Sequence, residues 1–102
     1  MRRVAGWLLL GGDRDLIELF KQFEDWRPGM GMDFDRAFLK ACDMLSAHPL
    51  IGPEWRGGFR RLLMVHWNLG IFYEVSGARV LIHGVMDVRR DPGEIAQRLG
   101  LR

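Results

Sequence analysis

The spacing of apolar residues predicts one strand and one helix at the start of the chain. Residues 4–10 form an apolar run closed by Gly11 and Gly12, which is typical of a buried strand. Asp13 is the predicted N-cap of the helix that follows, and Pro28 with Gly29 predicts its end. Apolar residues recur between these limits at intervals of three and four and define one helix face: Leu16, Leu19, Phe20, Phe23 and Trp26.

A single apolar stripe predicts a second helix, with Asp33 as its N-cap. The stripe follows the i, i+3, i+4, i+7, i+8, i+11 pattern through Phe34, Ala37, Phe38, Ala41, Cys42 and Leu45. Pro49 disfavours helical backbone in the residue before it, so we expect this helix to end near His48. About six residues join the two helices, which favours an antiparallel hairpin.

After residue 57 the pattern becomes typical of strands. Residues 59–66, 70–75 and 79–85 are rich in Val, Ile, Phe and Tyr and are separated by short turns, which predicts a three-stranded antiparallel meander. The order of elements predicts an α+β fold with helices on one face of a mostly antiparallel sheet.

A short last helix is predicted from a capping box. Asp91 is followed three residues later by Glu94, and Pro92 stands at the first helical position. Gly100 should end this helix. The complete predicted order is strand, two-helix hairpin, three-stranded meander and C-terminal helix.

Length and composition predict a single cytoplasmic domain over residues 1–102. The chain is 48% hydrophobic, which is enough for a core of its own. Cys42 is the one cysteine, so no intrachain disulfide forms. The apolar start is too short for a secretory leader, and no stretch approaches the roughly 20 apolar residues that span a bilayer. We therefore expect no membrane association.

Charge is divided unevenly along the chain although the net charge is only +2. Residues 13–43 carry eight acidic and five basic residues, whereas residues 54–102 carry five acidic and eight basic residues, all eight of them arginine. The planar guanidinium group suits phosphate or carboxylate partners. Genomic base composition explains the excess of arginine over lysine equally well.

Four stretches, taken in order, resemble the RelE/ParE superfamily, and within it the ParE or plasmid-stabilisation branch. An aromatic helix end followed by a Pro-Gly-hydrophobic-Gly loop occupies residues 23–31, and His48-Pro49 begins a turn similar to the one that leaves the second helix. Residues 59–62 and 71–75 resemble an arginine-bearing and a tyrosine-bearing strand, and residues 85–92 resemble the end of the last strand.

The resemblance implies the toxin of a type II toxin–antitoxin pair, in which a cognate antitoxin neutralises an inhibitor of growth. ParE-like members are implied to act on DNA gyrase, and RelE-like members to cut ribosome-bound mRNA. A ribonuclease site would comprise Arg60, Arg61, His83 and Arg90. The third-strand arginine of ribonuclease members is replaced by Gly70, and the last helix lacks Tyr and His. These departures favour the ParE-like inhibitor, while an inactive binding module remains a further alternative.

A partner surface, for target or antitoxin, is predicted to contain the following: Arg60, Arg61, Trp67, Arg89, Arg90 and Arg98. Arg60 and Arg61 adjoin on one strand and must point to opposite faces. Arg89 and Arg90 stand beside Asp91, so a local salt bridge at the helix start is the alternative. The resemblance is compatible with a homodimer or with a heterotetramer that includes the antitoxin.

The histidines and tryptophans each have two interpretations. His83 lies between apolar strand residues, and a satisfied core position competes with a general-base role. Three scattered histidines lack the paired spacing of zinc ligands, so we expect no metal site, and no glycine-rich phosphate loop predicts a cofactor. The four tryptophans either fill the core or form interface hot spots that an antitoxin segment covers as it orders on binding.

Overall fold

A five-stranded mixed sheet organises the computed structural model, which describes residues 6–101. The elements are β1 (Trp7–Leu9), α1 (Asp13–Trp26), α2 (Met30–Ala47), β2 (Glu54–Arg56), β3 (Phe59–Met64), a 3₁₀ turn (Val65–Trp67), β4 (Leu69–Ser76), β5 (Arg79–Asp87) and α3 (Pro92–Arg98). The strand order is β1-β5-β4-β3-β2, with β1 parallel to β5 and the other pairs antiparallel. The predicted α+β class is confirmed.

The strands differ from the prediction at several ends. Residues 4 and 5 of the first predicted strand lie outside the described residues. The meander has four strands, because β2 pairs with β3 ahead of the three predicted strands. The strand predicted over residues 59–66 ends at Met64, since the 3₁₀ turn follows and Asn68 adopts a left-handed conformation with φ 55°. β5 instead continues to Asp87, beyond the predicted end at residue 85.

Both predicted caps of the hairpin helices are wrong. Gly12 and Gly29 occupy the N-cap positions, with φ of 85° and 89°, and neither helix has a side-chain cap of its own. Asp13 is the first residue of α1, and Asp33 lies in the first turn of α2. The carboxylate of Glu24 accepts hydrogen bonds from the backbone N–H of Gly29 and of Gly31, at 3.0 Å each. A residue of α1 therefore satisfies the start of α2, and α2 begins earlier than predicted.

The hairpin packs on one face of the sheet, here called the hairpin face. The residues that are less than 2% exposed there include Phe34, Cys42 and Leu45 from α2 and Ile71, Tyr73 and Ile82 from the strands. Fully burying each large apolar side chain stabilises the fold by roughly 1.5–3 kcal/mol. Burial raises the pKa of the Cys42 thiol to about 12, with a smaller contribution from the charge of Asp43. This cysteine is therefore a core residue without thiolate reactivity.

The last helix covers the opposite face, here called the α3 face, and this overturns the prediction that all helices share one face. Ile95 of α3 packs with Phe72 and Met86, and the three residues are at most 4% exposed. Alternate residues of β4 point away from the hairpin, so Phe72 requires its own cover. The predicted cap is confirmed, because the side chain of Asp91 accepts a hydrogen bond from the backbone N–H of Glu94 at 3.1 Å.

Candidate partner-binding cleft

A β-bulge in β5 shapes the end of the sheet on which α1 begins. Tyr73 pairs with Ile82 and Phe72 pairs with Gly84, so His83 is an extra residue without a partner on β4. Gly11 and Gly12 approach this bulge closely. A Cβ atom on Gly11 would lie 2.7 Å from the His83 carbonyl oxygen, and one on Gly12 would lie 3.0 Å from the Gly84 Cα atom. The glycine pair therefore allows α1 to start directly over the bulge.

Asp15 joins three elements at this point. Its Oδ2 atom accepts a hydrogen bond from the Val85 backbone N–H at 3.2 Å, where β5 has passed the end of β1. Its Oδ1 atom accepts a hydrogen bond from Nη2 of Arg98 in α3 at 2.9 Å. One carboxylate therefore fixes α1, β5 and α3 relative to one another.

An open cleft of about 1020 Å³ lies between α1 and the adjoining end of the sheet. Its apolar part includes Leu19 and Phe23 of α1 and Trp67 of the 3₁₀ turn. The rings of Phe23 and Trp67 pack edge to face, with centroids 4.9 Å apart. Trp26, at the end of α1, borders the cleft with 77% of its surface exposed. Trp67 therefore packs against the core, as one of the two interpretations expected, whereas Trp26 faces solvent.

Four residues of the predicted partner surface come together at this cleft: Trp67, Arg89, Arg90 and Arg98. Arg89 donates two hydrogen bonds to Asp87, at 3.0 and 2.7 Å, and these bonds lower the pKa of the Asp87 carboxyl from 3.8 to about 2. Arg90 donates to Glu94 at 3.1 Å. Arg98 is bound to Asp15. Each of the three guanidinium groups therefore already has a carboxylate partner.

The other two predicted surface residues, Arg60 and Arg61, do not line the cleft. Arg60 donates from Nη1 to the carbonyl oxygen of Gly52 at 2.8 Å and so holds the loop between α2 and β2. Arg61 pairs with Phe72 across β3 and β4 and therefore lies on the α3 face. Its Cγ atom would lie 3.0 Å from a Cβ atom on Gly70, so the missing side chain of Gly70 gives Arg61 its path across the sheet.

His83 lies outside the buried core of the hairpin face. Its Nε2 atom lies 2.7 Å from Oε1 of Glu74, but this nitrogen makes no hydrogen bond of acceptable geometry with the described residues. Its ring packs edge to face on Phe59, with centroids 5.0 Å apart. The four candidate ribonuclease residues are therefore distributed over both faces of the sheet and its end.

Sequence reasoning missed the wall of the cleft that α1 provides. Asp15, Glu18, Gln22 and Asp25 all line the cleft, and their spacings of three and four place them on one side of the helix. This polar stripe was visible in the sequence beside the apolar face. Among the described residues, no group of three or more His, Cys, Asp or Glu side chains has the arrangement to hold a metal ion.

Comparison with known proteins gives a structural match. No family model matches the sequence, and a search of curated proteins finds no significant relative. A solved chain described as the chromosomal ParDE TA system from P. aeruginosa has a TM-score of 0.72 and 16% identity, and the match covers 86% of this chain and 100% of that one. The fold of this chain is ParE-like.

The ParE-like fold confirms the resemblance found in the sequence at the level of architecture. The match covers all of the solved chain and 86% of this one, so the likeness extends over most of the fold. Within residues 6–101, no helix combines the length and the apolar character that crossing a bilayer requires.

Proposed function

We propose that this chain is the toxin of a type II toxin–antitoxin system, that it inhibits growth by acting on DNA gyrase, and that a cognate antitoxin neutralises it. The supporting observation is the ParE-like fold, which matches a chain of a ParDE system over the full length of that chain. We further propose that residues 1–102 act as one domain in the cytoplasm, where bacterial gyrase works.

The arrangement of the arginines supports an inhibitor over a ribonuclease. Cleavage of RNA through its 2′-hydroxyl needs a base, an acid and cations directed at one phosphate. Arg60 lies on the hairpin face, where it is hydrogen-bonded to a loop carbonyl oxygen, and Arg61 lies on the α3 face. Arg90 is bound to Glu94, and His83 faces Glu74. These four side chains do not converge on one point at which a phosphate would react.

The cleft supports the antitoxin part of the proposal. It combines apolar rings with charged walls, and an exposed tryptophan borders it. Large aromatic side chains beside arginines are typical of the few residues that dominate binding at protein interfaces. An antitoxin segment that orders on binding would cover Trp26 and the ring of Trp67.

The test compares two targets with the same purified chain. We expect the chain to block supercoiling of relaxed plasmid by bacterial gyrase and to increase the amount of DNA covalently held by gyrase. Plasmid relaxation by topoisomerase I is the control and should be unaffected. mRNA on purified ribosomes should stay intact. Site-specific mRNA cuts with normal gyrase activity would instead identify a RelE-like endonuclease, and no effect in either assay would leave a binding module.

A further inference from the structure

The free charge of the cleft is negative, although the surface predicted from the sequence is rich in arginine. Arg89, Arg90 and Arg98 are neutralised by Asp87, Glu94 and Asp15, respectively.

On the α1 wall, by contrast, Glu18 and Asp25 form no ion pair with any residue between 6 and 101. A partner therefore meets two unneutralised carboxylates, with His66 as the remaining titratable side chain of the cleft.

These two carboxylates lie in a line beside the apolar part of the cleft. Glu18 and Asp25 are seven residues apart on α1, which is about 10 Å along the helix axis, and Gln22 lies between them. Leu19 directly follows Glu18 along α1, and Phe23 directly follows Gln22, so these two apolar residues form a neighbouring row. The wall thus presents a polar row and an apolar row that run parallel.

A helix laid along α1 complements both rows. Its own residues at i and i+7 lie on one side, so two cations at this spacing meet the two carboxylates. An adjoining apolar stripe then packs on Leu19, Phe23 and Trp67. The part of α1 that lines the cleft runs from Asp15 to Trp26, so the matching helix has about 12 residues and a length of about 17 Å.

We propose that the cleft binds an amphipathic helix of the antitoxin that carries lysine or arginine along the side facing α1. The identification of the partner as the antitoxin rests on the proposed function, whereas the charge and shape of the segment rest on the cleft alone. A nucleic-acid strand is a poor occupant, because its phosphates would meet arginines that are already paired and carboxylates that repel them.

The test uses a displayed library of 14-residue helical peptides with a fixed apolar stripe. The flanking positions are randomised among Lys, Glu and Ser, and peptides are selected on the complete chain. We expect lysine to be enriched at two positions seven residues apart on one flank. Binding of the selected peptides should fall at least tenfold on a Glu18→Lys/Asp25→Lys variant, and replacement of the two lysines by Glu should restore it on that variant.

A matched control separates local from overall charge. Asp43→Lys/Glu54→Lys changes the net charge equally but alters exposed residues of α2 and β2 outside the cleft, so it should bind the peptides nearly as well as the natural chain. Should the charge-reversed cleft variant lose its helical circular dichroism, Glu18→Gln/Asp25→Asn gives the same comparison with a smaller loss of binding.

The outcomes also separate this inference from the proposed function. Enrichment of glutamate, no enrichment at all, or binding that both double variants weaken equally would overturn the basic-helix proposal, even in a chain that poisons gyrase. Lysine-bearing peptides that bind the cleft of a chain without any effect on gyrase would support the surface and remove the gyrase part of the proposed function.

Discussion

The two faces of the sheet differ in how completely they are covered. The hairpin face is closed by α1 and α2 over a continuous core that includes Phe34 and Tyr73. The α3 face has a small buried cluster around Phe72, and the half-buried side chains of Arg61 and His83 belong to this face. The difference indicates that stability comes mainly from the hairpin face, whereas the α3 face includes half-buried polar side chains beside its small cluster.

Arg60 and Arg61 show the same difference within one dipeptide. Arg60 faces the hairpin side, where it donates to the Gly52 carbonyl oxygen and so stabilises a loop. Arg61 faces the α3 side, where it passes over Gly70. Identical residue types thus take different roles because the side chains of a strand alternate between two unequal faces.

The largest expected losses of stability come from removing one buried aromatic ring from each face of the sheet. Phe34→Ala should lower the free energy of unfolding by about 4 kcal/mol, because this fully buried ring packs on Phe23, Phe38 and Trp67. Phe72→Ala should cost less, about 3 kcal/mol, since its cluster is smaller. Urea unfolding followed by circular dichroism measures both, and a larger loss for Phe72→Ala would reverse the comparison.

A second change tests the loop that the hairpin face holds in place. The Tyr73 hydroxyl donates to the Pro49 carbonyl oxygen at 2.7 Å and accepts from the Gly52 N–H at 3.0 Å. Tyr73→Phe keeps the buried ring but leaves both backbone groups unpaired, so it should cost about 2 kcal/mol. Thermal unfolding gives the value. A neutral Tyr73→Phe variant would show that the loop finds other partners at no cost.

A third change tests whether Glu24 stabilises the start of α2 in the hairpin. Glu24→Ala removes the carboxylate that accepts from the first amides of α2, so it should cost about 1 kcal/mol. Glu18→Ala is the matched control, because this exposed residue of the same helix makes no such contact. Equal denaturant midpoints for the two variants would mean that Gly29 alone suffices to start α2.

The smallest expected effect is a pH dependence near α3. Hydrogen bonds from Arg89 lower the pKa of Asp87 from 3.8 to about 2, so the pair stabilises the folded state above pH 4 and loses this contribution as the pH falls towards 2. The pair is exposed at Arg89, so screening by solvent keeps this contribution small. Asp87→Asn should be slightly less stable than the natural chain at pH 6, and this difference should shrink as the pH falls from 4 through 2. A constant difference over this range would assign the effect to another cause.

Local pattern predicted most elements of the fold, and long-range contacts account for most of the errors. The stripe from Phe34 to Leu45 placed α2, and Pro49 placed its end. The start of α2 was wrong because Glu24, from another helix, binds its amides. β2 was missed because Glu54–Arg56 has no apolar run and lies between Pro53 and Gly57. The position of α3 depends on the uncovered Phe72, which periodicity within the helix does not indicate.

The cleft was predicted less completely than the fold. Trp67 and the arginines near β5 were chosen by residue type, and four of the six predicted residues do meet there. A local salt bridge was predicted as the alternative for Arg89 and Arg90 only, and their partners are Asp87 and Glu94. The bond between Arg98 and Asp15 was not predicted, because it joins residues 83 positions apart. The negative charge that Glu18 and Asp25 give the cleft was not predicted, because a cleft's net charge depends on which groups are already neutralised.

Growth of bacteria that express residues 1–102, measured together with the DNA bound covalently by gyrase, is the decisive test of the toxin function. We expect induction to halt growth and gyrase-linked DNA to rise in parallel, while cellular mRNA keeps its normal lengths. Unimpaired growth, or arrest with fragmented mRNA and no gyrase-linked DNA, would contradict it.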